Sequence, residues 1–392
     1  MKNSLLLVIA MLCLHTMWGQ TLSKQAEISV LTIGPGPALN DAFGHNAFRI
    51  KDRANDLDVT FDYGRFPFNE PGFYLNFALG KLNYSIGKSN FKEVKEFYTW
   101  QNRRIEEQVL NLTPQQKQTL FNYLLNNNKP QNRAYQYDFF YDNCATKMRD
   151  VLKIVLKDSL IFNTPSTLKP HTFRSLIREK VPTNTWGSLG IDIALGSLID
   201  QAIVPENYMF LPEYIHTFFS NAKVGSKALV VSKETLYTPK PQAKSSGFLW
   251  SPYAVFGFIS IVILWLTYAD FKNQKRQKTL DILLLTTTTF VGILVLFLWF
   301  GTDHQATAYN YNLLWAFPLN GLLAWQLVRN RPKAWVIPFL KFLVIMLVLM
   351  VFHWVVGVQN FAYALLPLVI ALAVRYVYLI QFFSKINLKV KD

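Results

Sequence analysis

Residues 250–268 read WSPYAVFGFISIVILWLTY and contain no charged side chain. Further apolar runs follow at about 282–300, 312–328, 335–357 and 360–383. Each run is near the ~20 residues that a helix needs to cross a bilayer, although the third is short and holds Pro318 and Asn320. Residues 248–392 are therefore predicted to form an all-α membrane bundle of about five helices.

The basic residues predict how this bundle is oriented. Lys and Arg occur in the first and third connections between the runs and in the C-terminal tail, whereas the second and fourth connections contain none. The positive-inside rule places basic connections in the cytoplasm. Five spans with this alternation put the preceding domain outside and the C-terminus in the cytoplasm.

The N-terminus supports the same orientation. Residues 1–20 hold one Lys, an apolar core from Leu5 to Leu14 and small or polar residues at Gly19 and Gln20, which is typical of a signal peptide. An uncleaved signal anchor is the alternative, and either one exports residues 21–247. The net charge of +15 does not indicate a nucleic-acid partner, because no basic stripe is interleaved with aromatic residues.

The exported domain, residues 21–247, has an α+β pattern. Strands are predicted at 27–33 and 104–112, with a hairpin from 43–50 and 57–63. One helix is predicted from Pro114 to about 126 and a second after Asn143. Residues 232–247, which contain two Pro residues, are predicted to form the linker to the membrane bundle.

The hairpin brings a histidine and a carboxylate together. With the turn centred near Arg53 and Ala54, His45 lies opposite Asp62 on the polar face. A carboxylate in this position would hold the imidazole in one tautomer, which is the third role in a nucleophile–base pair. Asp58 is the second choice for this role, and a solvated carboxylate is the alternative interpretation.

Cys144 lies in the run YDNCAT at 141–146, and the other cysteine, Cys13, lies in the predicted signal. Asp142 or Asn143 can cap the following helix and leave the thiol in the first turn, where unpaired N–H groups favour thiolate and could bind an oxyanion. A buried, unreactive thiol is the alternative. One Cys and scattered His residues give no zinc-ligand spacing, so neither a metal nor a cofactor is predicted.

A second group of polar residues is predicted at the outer side of the bundle. It consists of Asp303, His304, Asn310, Asn312 and His353. Polar side chains at membrane depth are costly and often functional, although an ordinary hydrated loop would look similar. Arg375, inside the last run, could reach the cytoplasmic surface or bind a lipid phosphate.

Together these motifs resemble a known family. A Gly-His-Asn-Ala-Phe strand followed much later by Asn-Cys-Ala-Thr at a helix start resembles the circularly permuted papain-like domains of the NlpC superfamily. More closely, the chain is similar to the Lnb family of Bacteroides-type bacteria, in which an exported domain precedes several spans. The similar stretches are residues 43–48, 61–64, 137–149, 210–212 and 302–318.

This resemblance implies lipoprotein N-acylation in the bacterial inner membrane. By analogy, His45 would deprotonate Cys144, which would take an acyl group from a phospholipid as a thioester. The terminal amine of a diacylglyceryl lipoprotein would then accept the acyl group, with both substrates on the periplasmic side. Only Cys144 and His45 follow from the resemblance, and Asp62 rests on the hairpin pattern.

Two other functions remain open from the sequence. One is a cysteine amidase or peptidase that cuts peptidoglycan stems, as other NlpC-type proteins do, which predicts activity without the spans. The other is a non-catalytic envelope protein, which predicts that Cys144→Ala leaves function intact.

Overall fold

The computed structural model describes residues 20–66, 71–81, 83–241, 247–329 and 332–388. Apart from Gln20, the predicted signal peptide lies outside these residues. The strands are β1 (Glu27–Ile33), β2 (His45–Asp52), β3 (Leu57–Arg65), β4 (Asn83–Asn90), β5 (Ile105–Leu110), β6 (Ala134–Gln136), β7 (Leu160–Ile161), β8 (Lys223–Val224), β9 (Lys227–Ala228) and β10 (Val230–Tyr237). The helices are α1 (Phe73–Ala78), α2 (Phe91–Trp100), α3 (Pro114–Asn127), α4 (Cys144–Leu156), α5 (Phe173–Lys180), α6 (Trp186–Ala194), α7 (Pro212–Asn221), α8 (Pro252–Asn273), α9 (Lys278–Phe300), α10 (Asn320–Leu327), α11 (Val336–Val355) and α12 (Leu366–Leu388).

The chain divides into two compact units, and neither is continuous in sequence. The first unit consists of Met1–Glu70, Leu82–Lys169 and Val204–Pro241, and the second of Pro71–Lys81, Pro170–Ile203 and Gln242–Asp392. The second unit thus contains the membrane helices and two segments that precede the predicted boundary near residue 247. These segments contribute α1, α5 and α6.

The first unit is built on a seven-stranded sheet in the order β10-β5-β1-β2-β3-β4-β6, with antiparallel pairing throughout. The predicted strands and helices of this domain are confirmed. The predicted linker is wrong for residues 232–237, which belong to β10 and pair with β5. Most of β10 is exposed. Its sequence therefore needs no alternation of apolar residues, which is the pattern that predicts a half-buried strand.

Helices cover both faces of this sheet. Alternation along β2 sends Ala47 and Phe48 to opposite faces. Ala47 packs in a small core with Phe91 at the start of α2. On the other face, Phe61 contacts Phe121 of α3 with the two ring centroids 6.4 Å apart, and α4 packs against β2 and β3. The thiol helix therefore rests on the strands that carry His45 and Asp62.

The observed register of the β2–β3 hairpin differs from the predicted one. Ala47, not His45, lies opposite Asp62, so the prediction is wrong by two residues. The turn is centred one residue later, over Arg53–Asn55, because the Asp52 carboxylate accepts a 3.2 Å hydrogen bond from the Ala54 N–H. A shift of two residues keeps every side chain on its predicted face. His45 and Asp62 therefore remain neighbours, across a diagonal of the ladder.

The second unit contains four helices that are long and apolar enough to cross a membrane, among the residues that the structure describes. They correspond to α8, α9, α11 and α12 and confirm the predicted helical membrane region. The third predicted run, 312–328, is not one continuous helix. It begins with a 3-10 turn, Tyr311–Leu314, and becomes α-helical only at Asn320, after Pro318, because Pro lacks the N–H that a continuous helix would need.

Neighbouring elements support this interrupted segment. At its start, Trp315 Nε1 donates to Asn312 Oδ1 (2.9 Å), and near its middle Asn320 Nδ2 donates to Thr288 Oγ1 of α9 (2.9 Å). At its end, Arg276 in the α8–α9 connection donates to the Leu327 carbonyl (2.7 Å). Polar groups that are buried among apolar helices require such partners, because lipid supplies none.

Gly292 of α9 provides a stability test of this packing. A Cβ there would lie 2.1 Å from the Ala316 carbonyl oxygen, whereas a Cβ at Gly257 of α8 has nothing within 4 Å. We expect Gly292→Ala to lower the free energy of unfolding by about 1–3 kcal/mol or more, because the backbone must shift. Gly257→Ala is the matched control and should be nearly neutral. Thermal unfolding in lipid nanodiscs measures both, and equal midpoints would contradict the close approach.

Arg375 of α12 lies inside the bundle. Its guanidinium donates to Asp281 Oδ1 of α9 (2.7 Å) and to Asp270 Oδ2 of α8 (2.8 Å). The side chain is 1% exposed, so the predicted contact with the cytoplasmic surface or a lipid phosphate is wrong. A buried charge requires pairing, and this pairing joins three helices.

Candidate active site

Cys144 is the first residue of α4, and Asn143 caps this helix. The Asn143 Oδ1 accepts hydrogen bonds from the N–H groups of Ala145 (2.8 Å) and Thr146 (2.9 Å). Its Nδ2 donates to the carbonyl oxygens of Phe139 (2.7 Å) and Phe210 (2.8 Å). The amide therefore fixes both the start of the helix and the position of the thiol.

This cap confirms Asn143 as the capping residue and limits one further expectation. Of the first-turn N–H groups that could bind an oxyanion, those of Ala145 and Thr146 are taken by Asn143. A different donor acts on the sulfur, because the backbone N–H of Asn46 in β2 helps to lower the pKa of the Cys144 thiol. Asn46 is itself fixed by hydrogen bonds from its Nδ2 to Leu31 O and Thr32 Oγ1.

His45 joins Cys144 to Asp62. Its Nε2 lies 3.3 Å from Asp62 Oδ2, and the interaction of its ring with the Cys144 thiol helps to raise the pKa of His45. Because Nε2 faces the carboxylate, Nδ1 is the ring nitrogen left for the sulfur. The second-choice carboxylate, Asp58, instead pairs with Arg49, whose Nε lies 2.8 Å from Asp58 Oδ1. The geometry thus brings together Cys144, His45 and Asp62.

The electrostatics of these groups favour an ion pair. Burial alone would raise the pKa of the Cys144 thiol, but the charge and hydrogen bond of His45 and the Asn46 N–H outweigh it, so this pKa is lowered. Burial would likewise lower the pKa of His45, yet interactions with Tyr98, Cys144 and Asp62 raise it well above its ordinary value. A lowered thiol pKa beside a raised imidazole pKa favours thiolate and imidazolium.

Arg65 is a site residue that the sequence interpretation missed. Burial would raise the pKa of Asp62, but hydrogen bonds with His45 and Arg65 lower it. Arg65 Nε lies 3.0 Å from Asp62 Oδ1, and its Nη2 donates to Ser89 Oγ (2.7 Å). The spacing of three residues did not indicate this contact, because side chains three apart on a regular strand face opposite ways. An irregularity in the β3–β4 pairing between Asp62 and Arg65 allows it.

A cavity of about 280 Å³ opens beside this pair. Its lining includes His45, Asp62 and Arg65 from the sheet and Phe97 and Tyr98 from α2. The His45 imidazole therefore lines this cavity in addition to interacting with the thiol.

The ion pair predicts an unusual pH dependence of alkylation. Because the pKa of Cys144 is lowered, the thiolate should persist at pH values below the ordinary cysteine pKa of about 8–9. The rate of alkylation by iodoacetamide follows the thiolate population, so it should fall only as the pH drops through the lowered pKa. In His45→Ala the midpoint should move to higher pH, since the lowering groups are lost while burial remains. Rates measured from pH 5 to 10 in a Cys13→Ser background test this. An unchanged midpoint in His45→Ala would disprove the coupling.

In the second unit, Asn310 and Asn312 form part of a buried hydrogen-bond network. Asn310 Nδ2 donates to Ile193 O (2.8 Å) and Asn312 Nδ2 to Asp192 O (2.9 Å), both at the end of α6. The Gln359 side chain accepts from the Tyr311 N–H (2.8 Å). These amides hold α6 against the 3-10 turn Tyr311–Leu314.

The other predicted polar residues of this unit lie in two places. His304 Nε2 lies 2.9 Å from the Phe77 carbonyl, and the Asp303 N–H donates to the Leu79 carbonyl (2.8 Å). His353 lies 4.6 Å from the Tyr311 ring between centroids. Among the described residues, no group of three or more His, Cys, Asp or Glu could hold a metal ion.

The first unit thus carries a thiol–imidazole–carboxylate group, and the second carries membrane-spanning helices, which defines a membrane protein with an exported thiol–histidine domain. Family models agree with this class: the Lnb N-terminal periplasmic domain matches residues 17–179 and the Lnb transmembrane domain matches residues 243–386. The chain belongs to the Lnb family. Neither a curated protein nor a solved structure matches it. Membership suggests a membrane enzyme that processes lipoproteins, with its N-terminal domain in the periplasm.

Proposed function

We propose that this protein is a cysteine-dependent acyltransferase, which moves a fatty acyl chain from a phospholipid to the N-terminal amine of a diacylglyceryl lipoprotein. The observation that supports this proposal most directly is that His45 lies 3.3 Å from Asp62 and interacts with the Cys144 thiol, in a chain of the Lnb family. A thiolate is a strong nucleophile toward an ester carbonyl, and a thioester passes its acyl group readily to an amine.

The reaction would have two halves. The Cys144 thiolate attacks the ester carbonyl carbon, so that a C–S bond forms and the ester C–O bond breaks. The proton on His45 passes to the departing glycerol oxygen and releases a lysophospholipid. The lipoprotein amine then attacks the thioester, a C–N bond forms, the C–S bond breaks, and His45 accepts the amine proton.

Separate groups would support these steps. The Asp62 carboxylate would hold the imidazole orientation and stabilise its protonated form, and Arg65 would fix Asp62 in turn. The Asn46 N–H, which helps to lower the pKa of the thiol, would stabilise the thiolate. Asn143 would act by holding the thiol in place. In the second unit, Asn310 and Asn312 would have a structural role, because their amides are bonded to backbone carbonyls.

The location of the reaction follows from the proposed topology. With a periplasmic N-terminal domain, the four long helices and the interrupted third crossing make five passages, and the C-terminus lies in the cytoplasm. The basic connections beside Arg276 and Arg329 then face the cytoplasm, as the positive-inside rule requires. The protein would thus act in the bacterial inner membrane, where phospholipid and lipoprotein share the outer leaflet.

A reconstituted transfer assay tests the function. The full-length protein, in nanodiscs containing phospholipid with isotope-labelled acyl chains, is incubated with a synthetic diacylglyceryl-cysteine peptide. We expect labelled acyl chains on the peptide amine and one lysophospholipid per product, both by mass spectrometry. A peptide whose N-terminus is acetylated is the matched control and should accept nothing.

Two outcomes would contradict the proposal. Cleavage of peptidoglycan stem peptides without acyl transfer would indicate the amidase or peptidase function. The absence of both activities would indicate a non-catalytic envelope protein, provided that the preparation unfolds cooperatively and that iodoacetamide alkylates the thiol in a separate sample.

A further inference from the structure

The short helix α1 is apolar but unburied. Its sequence is Phe-Tyr-Leu-Asn-Phe-Ala, and none of its residues is buried. Tyr74 is 78% exposed, Leu75 63% and Phe77 50%. Soluble surfaces rarely expose such a contiguous apolar patch, so its presence indicates a partner.

The attachment of α1 places this patch near one end of a membrane helix. Both contacts of the α1 region described above, from Asp303 to Leu79 and from His304 to Phe77, come from the connection that follows α9. The α9 helix ends at Phe300. Three residues of chain span at most about 11 Å, so Asp303 lies within that distance of the end of α9.

Helix length sets the level of this end in the bilayer. The 23 residues of α9 make a helix about 34 Å long, slightly longer than the ~30 Å hydrocarbon core. Its end therefore lies in the interfacial layer, which is the usual location of exposed aromatic residues. Phe300 and Tyr309 are exposed at this end, and Trp299 stacks on Phe300 with centroids 4.7 Å apart.

The chemistry of α1 also favours lipid over a protein partner. The helix carries no charged residue, and the exposed Lys81 follows it. Aromatic and leucine side chains enter the acyl boundary, while an ammonium group attracts lipid phosphate. Because α1 lies within the match to the periplasmic domain, the leaflet concerned is the outer one.

We propose that α1 is a membrane-surface helix, docked on the Asp303–His304 connection, whose Tyr74, Leu75 and Phe77 side chains insert into the outer leaflet. The helix joins β3, which carries Asp62, to β4. The proposed membrane-surface helix thus lies in the chain connection between two strands of the exported domain.

Depth-dependent quenching tests this proposal. In a full-length Cys13→Ser/Cys144→Ser background, Leu75→Cys is labelled with an environment-sensitive dye and reconstituted into nanodiscs whose phospholipids are brominated along the acyl chain. Gln115→Cys, at an exposed position of α3, carries the same dye as the control. We expect quenching at position 75 to be at least threefold greater than at position 115.

Tyr74→Cys is the second label position and should behave like Leu75→Cys. Quenching at both positions no greater than at 115 would overturn the proposal and indicate that α1 faces water or another protein. Because the dyes report position rather than turnover, the result does not depend on whether Cys144 forms a thioester.

Discussion

Cys144→Ala should abolish acyl transfer, with a loss of about a thousandfold or more, because no other group at the site can form the thioester. The measurement is the intact mass of the full-length protein after incubation with phospholipid. Wild type should gain one fatty acyl mass, which hydroxylamine removes, and the variant should gain none. Cys144→Ser is the isosteric companion, since it keeps the shape of the site but replaces the sulfur with a much weaker nucleophile.

The fold should survive this substitution. The thiol is only partly buried, and α4 is capped by Asn143 rather than by the cysteine. Thermal unfolding midpoints of wild type and Cys144→Ala should therefore agree within a few degrees. If the variant stays folded and still transfers acyl chains at the wild-type rate, Cys144 is not the nucleophile.

His45→Ala should slow acyl-enzyme formation by about 10²–10⁴-fold, the range typical of a lost general base. The imidazole both stabilises the thiolate and supplies the proton for the departing glycerol oxygen. His216→Ala is a matched control on α7, where the ring interacts with Glu106, Lys233 and Arg104. Single-turnover rates of thioester formation, with the acyl mass as readout, measure the effect.

Asp62→Asn separates orientation from proton transfer. Asn keeps the size of the side chain but loses the negative charge that stabilises the imidazolium, so the rate should lie between those of wild type and His45→Ala.

A rate for His45→Ala equal to that of His216→Ala would exclude His45 as the base.

Local patterns in the sequence predicted part of the exported domain as well as the long membrane helices. The strands β1, β2, β3 and β5 and the helices α3 and α4 follow from alternation, caps and breaks within a few residues. The face shared by His45 and Asp62 was also predictable, because a period of two holds whichever even register the strands adopt. For the same reason the error of two residues in the register did not separate the two side chains.

Contacts that depend on packing or on an irregular strand pairing could not be predicted in this way. The pairing of Arg375 with Asp270 and Asp281, and the Arg65–Asp62 contact, depend on how elements pack and where a strand pairing becomes irregular. The strand β10 was taken for a linker because an exposed edge strand needs no apolar alternation.

The sequence by itself determined that this protein has an exported α+β part and apolar helices long enough to cross a membrane, because hydropathy and periodicity are properties of adjacent residues. Only the tertiary structure decided that α1, α5 and α6 group with the membrane helices. That outcome depends on hydrogen bonds between residues far apart in the chain, such as Asn312 with Asp192, and backbone partners of this kind leave no local pattern.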